Sequence, residues 1–173
     1  NQEHDKLLIL KSAEVDIMPD GSLDLDEEIL SQFDLIVCSI HSHFNLSEKE
    51  QTKRIVTAME SPFFNIFGHP TGRLINAREG CAFDWEQVMQ AAKDNNRFLE
   101  LNAQPNRLDV DDLRARQAKE MGIKISLGTD AHQVNGLNYM RFGVDQARRG
   151  WLEPEDVLNT YSWSKLNKLL SKN

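Results

Sequence analysis

The chain has 173 residues, of which 40% are hydrophobic and 27% are charged, and its formal net charge is −7. This length suits one domain or a large part of one, and no apolar run approaches the roughly 20 residues that a membrane-spanning helix needs. Affinity for nucleic acids comes mostly from Lys and Arg side chains that neutralise phosphates. An acidic chain would therefore need a local basic rim, or another domain, to bind DNA.

The start of the chain and its cysteines indicate the protein's context. The polar opening NQEHDK lacks a basic segment followed by an apolar one, so we expect no signal peptide. The first residue is Asn1 rather than methionine, and LLIL follows almost at once, which indicates a chain cut just before a strand. Two cysteines, Cys38 and Cys81, are too few for a disulfide framework. We expect a reducing cytoplasm, with Cys38 as a small buried core residue.

Five short apolar runs predict buried strands. Rich in Ile, Leu, Val and Phe, they cover residues 7–14, 33–41, 63–69, 97–103 and 123–130. Most of them lack clean alternation, and nearly continuous apolar runs are typical of strands that are buried on both faces.

Helical stretches alternate with these strands. They cover residues 47–60, 84–96, 109–122, 136–150 and 153–173. Ser47 and Glu50 form a capping box, Gly122 is a helix stop, and Pro154 lies in a first turn, where proline is tolerated. Strand–helix alternation predicts parallel strands with crossover helices. No glycine-rich dinucleotide loop follows any strand, so the fingerprint of an open doubly wound sheet is absent and a barrel is the other choice.

Every predicted strand ends on a polar side chain. These side chains are Glu14, His41, His69, Asn102, and Asp130 with His132. In parallel α/β folds the functional residues collect where strands end. Imidazoles and carboxylates that converge there would suit zinc, iron or manganese. Taken one at a time, Glu14 could be a solvated carboxylate, Asp130 a helix cap and each histidine a structural residue. These ordinary roles would, however, have to apply at four equivalent strand ends at once.

The two other histidines are weaker candidates. His43 and His41 imitate a chelating HxH pair, but the strand is expected to end at His41, so the pair would not face one side. His4 lies in the polar leader, where we expect it to be exposed.

Several stretches closely resemble the PHP (polymerase and histidinol phosphatase) domain, and more narrowly the one at the C-terminal end of bacterial family X DNA polymerases. They cover nearly the whole chain and read SAEVDIMPDGSLDLDEEIL, VCSIHSHF, GHPTGRLI, ELNAQPNRLDVDD, GTDAHQ and GVDQARRGWLEPEDVLNT. The resemblance implies an α/β fold, a distorted, TIM-like (β/α)7 barrel with about five of its seven βα units present. Residues 1–173 would form the C-terminal portion of a single PHP domain.

The resemblance also implies a metal centre. The implied metal ligands are Glu14, His41, His69, Asp130 and His132. They would hold up to three divalent ions, manganese or zinc with iron as a further candidate, and Glu14, Asp130 and His132 would have the catalytic roles. The family's opening HxH strand is absent, so about two βα units, roughly 60 residues at ~30 per unit, are expected to precede Asn1. We therefore expect weak or no activity from the chain alone.

The implied chemistry is phosphoester hydrolysis. In the family X polymerases this is manganese-dependent 3′→5′ exonuclease and DNA end-processing activity in DNA repair, with DNA as the partner of the full-length polymerase and no membrane partner. A small-molecule phosphatase of the histidinol-phosphatase type is an alternative, which the acidic charge favours modestly, whereas NAQPNRLD and ARRGW resemble the polymerase branch more. A non-catalytic structural module of a polymerase is the third possibility.

Basic and amide side chains near the site are candidates for substrate binding. These candidates are Arg73, Asn102 and Arg107. An arginine beside the metals would stabilise the charge of the transition state, but either arginine could instead pair with an acidic neighbour such as Asp109. Arg148 and Arg149 end a helix, where a cation complements the helix dipole, so a structural role is favoured for both.

Overall fold

The computed structural model describes residues 8–170, in which five parallel strands form one sheet. The strands are β1 (Ser12–Asp16), β2 (Leu35–Ser39), β3 (Ile66–Phe67), β4 (Phe98–Asn102) and β5 (Ile125–Gly128). They lie side by side in chain order, and every neighbouring pair is parallel. The predicted α/β class with parallel strands is thereby confirmed. The first residue of the first predicted strand, and His4, lie outside the described residues.

Six α-helices accompany the sheet within these residues. They are α1 (Glu27–Leu30), α2 (Glu48–Met59), α3 (Trp85–Asp94), α4 (Asp112–Met121), α5 (Met140–Arg149) and α6 (Trp163–Leu170). The Ser47–Glu50 capping box begins α2 as predicted, and Gly122 ends α4 with a left-handed φ of 82°. Between residues 8 and 170, no helix has both the length and the apolar character required to cross a bilayer.

The C-terminal helices differ from the prediction. Short 3-10 helices cover Val134–Tyr139, Pro154–Asp156 and Leu158–Thr160. The continuous helix expected over 153–173 is therefore wrong for its first half, because Val157 is extended and bridges Ile125 at the edge of β5. The short helix α1 was not predicted, since only four residues form it.

Strand ends also shift by one or two residues. Glu14 lies inside β1, which ends on Asp16, so the prediction that the first strand ends on Glu14 is wrong. Leu8 and Ile9, which made the run look strand-like from residue 7, are 47% and 56% exposed and precede the first residue that pairs with β2. Three other strands, β2, β3 and β5, end two residues before the predicted ends at His41, His69 and Asp130, whereas β4 does end on Asn102.

The two faces of the sheet have different chemistry. Leu99 and Leu101 of β4 are fully buried in the main core with residues of the flanking helices, and Cys38 lies in the same core, as predicted. Side chains alternate along a strand, so Glu100 and Asn102 lie on the opposite face. Part of that face is covered by apolar side chains that include Leu170 of α6. Its other part, towards the carboxyl ends of the strands, carries the polar residues of the candidate site.

Candidate metal centre

The candidate site lies at the carboxyl ends of the parallel strands. The residues that the strands bring there are Glu14 on β1, His41 after β2, His69 after β3, Asn102 at the end of β4 and Asp130 after β5. Parallel strands end at one edge of a sheet, so residues far apart in the sequence meet there.

Glu14, His41 and His69 form a compact cluster. Nε2 of His69 lies 2.9 Å from Oε1 of Glu14, and Nε2 of His41 lies 3.3 Å from the same oxygen. One ligand atom from each residue lies within 4.8 Å of the others, the arrangement expected for residues that share an ion. One carboxylate and two imidazoles suit divalent zinc, manganese or iron. Within residues 8–170, this is the one such group of three or more His, Cys, Asp or Glu residues.

The cluster strongly shifts the pKa values of its members. Hydrogen bonds from His41 and then His69 hold the pKa of Glu14 well below its usual range. The hydrogen bond to Glu14, helped by one to Asp16, raises the pKa of His41 to about 9. In the metal-free protein the protonated imidazole therefore supplies positive charge that a cation would otherwise bring, and a cation would have to displace that proton.

Asp16 also lies at the site, although it was not among the residues predicted from the sequence. Its Oδ1 contacts Nδ1 of His41, so the other ring nitrogen, Nε2, is the one that faces Glu14. A carboxylate on the far nitrogen of a ligating histidine fixes its tautomer and its orientation. The two-residue spacing of Glu14 and Asp16, which places both on one face of a strand, was the available signal.

Asp130 forms a second group beside this cluster. Its Oδ2 is 3.3 Å from Nδ2 of Asn102 and 3.7 Å from Nε of Arg107, and its carbonyl accepts a 2.7 Å bond from Gln104. The φ of Asp130 is 48°, a strained value for a non-glycine residue that these contacts help to hold. Asn102 and Arg107 thus contact its carboxylate, while Gln104 holds its backbone.

A single cavity connects the two groups. It has a volume of about 240 Å³, and its walls include Glu14, His69, Glu100 and Asp130. His132 contacts the backbone of Asp130, with Nδ1 2.9 Å from the carbonyl oxygen, but its side chain is 87% exposed. Four of the five proposed ligands therefore lie in the cluster or around the cavity, and His132 lies at the rim.

Glu100 is a second residue that the sequence reading missed. It lies in the middle of β4, and its Oε2 accepts a 2.7 Å hydrogen bond from the backbone N–H of His69. Burial raises the pKa of its carboxyl to about 7. A glutamate inside the apolar run FLELN was the available signal, because a buried carboxylate inside a strand needs a reason.

The three substrate-binding candidates are placed differently. The amide of Asn102 is fully buried and contacts Glu100 and Asp130. Nε of Arg73 donates to the carbonyl oxygen of Arg107 at 2.8 Å. Arg107 itself approaches Asp130, and its buried Nη1 has no hydrogen-bond partner. Arg107 is therefore the candidate whose guanidinium retains a free donor beside the site.

The alternative roles considered for other residues can also be located. The carboxylate of Asp109 accepts bonds from the backbone N–H groups of Thr71 and Gly72, at 2.9 and 3.0 Å. His43 has a left-handed φ of 57°, and its ring contacts Ser42 rather than the three-residue cluster. Arg149 pairs with Asp112 of α4 at 3.0 Å, a structural contact between α5 and α4.

The chain is similar to known proteins of two kinds. No protein-family model matches it. It is 42% identical, over all 173 residues, to a protein of Bacillus subtilis named DNA polymerase/3′-5′ exonuclease PolX, and the match covers 30% of that protein. It is 34% identical over 162 residues to a probable phosphatase of Thermoanaerobacter sp.. This match covers 88% of the chain and 64% of the phosphatase. A probable phosphatase of Caldanaerobacter subterraneus is 34% identical over 134 residues, half of its length.

These relatives are longer than the chain, which spans less than two thirds of each of them. Identity at this level over most of the chain indicates common ancestry with both kinds of protein. By sequence, the chain is thus homologous to part of a protein named as a polymerase and 3′-5′ exonuclease, and to a large part of proteins named as probable phosphatases.

Proposed function

We propose that this chain is the phosphoesterase part of a bacterial family X DNA polymerase, and that it acts as a metal-dependent 3′→5′ exonuclease and DNA end-processing module. The Glu14–His41–His69 cluster carries the proposal, because it offers a divalent cation one carboxylate and two imidazoles at the carboxyl edge of a parallel sheet. The identity of 42% over the whole chain to the Bacillus subtilis PolX protein supports DNA as the substrate.

In the proposed site, Glu14, His41, His69, Asp130 and His132 hold up to three ions, manganese or zinc, with iron a further candidate. When bound, such ions lower the pKa of a water molecule and neutralise charge on phosphate oxygens. The carboxylates of Glu14 and Asp130 line one cavity, so they can hold cations on both sides of it. The guanidinium of Arg107, whose Nε lies 3.7 Å from Oδ2 of Asp130, would supply positive charge near the phosphate, where it stabilises the transition state.

The proposal includes further strands in the full-length protein. Among the described residues, no strand pairs with the outer edge of β1. Open edges are usually paired or covered, and at the opposite edge Asn159 bonds both backbone groups of Leu127 in β5. We propose that preceding strands pair with β1 and complete a (β/α)7 barrel, of which residues 1–173 are the C-terminal portion.

A small-molecule phosphatase is the second candidate. Probable phosphatases match 88% of the chain at 34% identity, and the same metal cluster would serve a phosphomonoester. The candidates differ in what must be bound besides the scissile phosphate, a DNA strand or a small alcohol.

The decisive experiment supplies the full-length protein and Mn²⁺ with either 3′-labelled single-stranded DNA or histidinol phosphate. Nucleotide release without phosphate release from the small ester supports the exonuclease, and the reverse result supports the phosphatase. Glu14→Gln should abolish either activity because it removes the negative charge of the carboxylate that both imidazoles contact, whereas Glu28→Gln, on the exposed face of α1, should not. If neither substrate is hydrolysed and no Mn²⁺ is bound, the chain is a non-catalytic module.

A further inference from the structure

Glu100 lines the cavity of the candidate site, on the face of β4 opposite to the main core. Its neighbours Leu99 and Leu101 are fully buried on the other face. Its carboxylate has no basic side chain as a hydrogen-bond or ion-pair partner among the described residues. Burying a carboxylate costs free energy. Its position among the metal-site residues therefore indicates a role in that site.

Two hydrogen bonds connect Glu100 to the site. Oε2 accepts from the backbone N–H of His69 at 2.7 Å and from Nδ2 of Asn102 at 3.3 Å. The first bond lies at a strained point, since His69 has a left-handed φ of 25°. The carboxylate therefore holds the backbone that presents the His69 imidazole to Glu14.

Asn102 extends the connection to the second group. The same Nδ2 that contacts Glu100 is 3.3 Å from Oδ2 of Asp130. The amide oxygen of Asn102 accepts a 3.0 Å bond from Gln104 N–H, so the side chain is held at both ends. Through Asn102, the carboxylate of Glu100 is joined to that of Asp130, which lines the same cavity.

Gly128 makes room for this arrangement. A Cβ at this position would lie 2.1 Å from Oε1 of Glu100, which no real contact permits. Gly128 has no left-handed φ, so the glycine is required for space rather than for backbone conformation. A methyl group at residue 128 would displace the Glu100 carboxylate without changing Glu100 itself.

We propose that Glu100 is a positioning residue that joins the two halves of the metal site and sets the separation of His69 and Asp130 across the cavity. This inference rests on the proposed function, because it concerns the same metal centre. Loss of the carboxylate should free both residues from their common support and weaken metal binding, while His41 keeps its contacts with Glu14 and Asp16.

The test measures Mn²⁺ binding to the full-length protein by calorimetry and thermal unfolding in chelator. Residues that support metal ligands typically contribute about 10–100-fold in affinity, so we expect Glu100→Ala and Gly128→Ala each to weaken binding about tenfold or more. Glu100→Gln keeps one acceptor oxygen and should lose less. Ser126→Ala changes the residue paired with Glu100 in the sheet and should bind as wild type.

Thermal unfolding separates positioning from a purely structural role. Glu100→Gln should leave the unfolding midpoint of the metal-free protein unchanged while it lowers Mn²⁺ affinity. Affinity losses that follow the midpoint across all variants would overturn the proposal, as would wild-type affinity in Glu100→Ala. Equal losses in Glu100→Gln and Glu100→Ala would make Glu100 a direct ligand instead. If the wild-type protein binds no Mn²⁺, the proposed function fails as well; if it binds Mn²⁺ and cleaves DNA, only the inference about Glu100 is at stake.

Discussion

Nε2 of His69 lies 2.9 Å from Oε1 of Glu14, although β2 separates their strands in the sheet. The contact is possible because both side chains project over one face at the carboxyl edge. His69 is 5% exposed, so this end of the cluster is shielded from water while Glu14 and His41 remain accessible to it. A cation bound here would contact the buried His69 on one side and would be accessible to a substrate on the side of Glu14 and His41.

Asp16 should be required for strong metal binding. Asp16→Ala removes the carboxylate that contacts Nδ1 of His41, so the ring loses its fixed orientation towards Glu14. We expect Mn²⁺ affinity measured by calorimetry to fall about 10–100-fold. Asp26→Asn is the matched control, because this exposed carboxylate makes no side-chain capping bond. Unchanged affinity in Asp16→Ala would show that His41 is oriented by other contacts.

The stability of the metal-free protein should depend on pH through His41 and Glu14. The pKa of His41 is raised from 6.5 to about 9, so its contribution is complete below pH 6.5 and is lost as the pH rises through about 9. The pKa of Glu14 is lowered from 4.5, so its contribution is complete above pH 4.5 and is lost as the pH falls further. For these two groups, the free energy of unfolding is greatest between pH 4.5 and 6.5.

Urea denaturation in chelator across this range checks the expectation. His41→Gln should flatten the alkaline part of the plot of unfolding free energy against pH, because the glutamine amide does not titrate. His43→Gln removes an imidazole that lies outside the cluster and should leave that part intact. An alkaline loss of stability that persists in His41→Gln would have to come from another group.

Arg107 should act on turnover rather than on folding or metal binding. Arg107→Ala removes the guanidinium whose Nε lies 3.7 Å from Oδ2 of Asp130, and removing one group that stabilises a developing charge typically lowers the rate about 10²–10³-fold. We expect such a loss in kcat for DNA hydrolysis, with Mn²⁺ affinity changed only a few-fold. Arg148→Ala, at the exposed end of α5, should keep the wild-type rate. A wild-type rate in Arg107→Ala would remove this residue from the site.

Arg54 should be essential for the stability of the loops that carry the site. It is 1% exposed and donates to the carbonyl oxygens of Ile17, Met18 and Ser42, which follow Asp16 and His41 in the chain. Arg54→Met leaves the carbonyls of Ile17 and Ser42 without this donor, whereas that of Met18 keeps the N–H of Gly21, and each buried group left unpaired costs about 1–3 kcal/mol. We expect a loss of at least about 2 kcal/mol in the free energy of unfolding measured by urea denaturation.

The control for Arg54 is an arginine on the surface. Arg116→Met removes an exposed partner of Glu120 on α4, and such pairs contribute about 0.3–0.5 kcal/mol. If both variants unfolded at the same urea concentration, the bonds of Arg54 to the loops would have little energetic importance.

Much of the site could be predicted from the sequence because strand ends are local features. An apolar run followed by His, Asp or Asn indicates where a buried strand meets solvent, and parallel topology places such ends at one edge. The structure places Glu14, His69 and Asp130 around one cavity and His41 beside Glu14, although Glu14 proved to lie within its strand. The capping box at Ser47 and the stop at Gly122 were equally local, so those helix ends were predicted correctly.

Only the tertiary structure decided which side chains support the others. Asp16 and Glu100 contact His41 and His69, residues that are distant in the chain but close across the sheet. Their importance depends on burial and on distances of a few ångströms, which residue spacing does not encode. The sequence by itself determined the parallel α/β class and the polar residues at the strand ends, because local periodicity sets both. Packing across strands decided which carboxylates contact the histidines and which arginine has an N–H group without a partner.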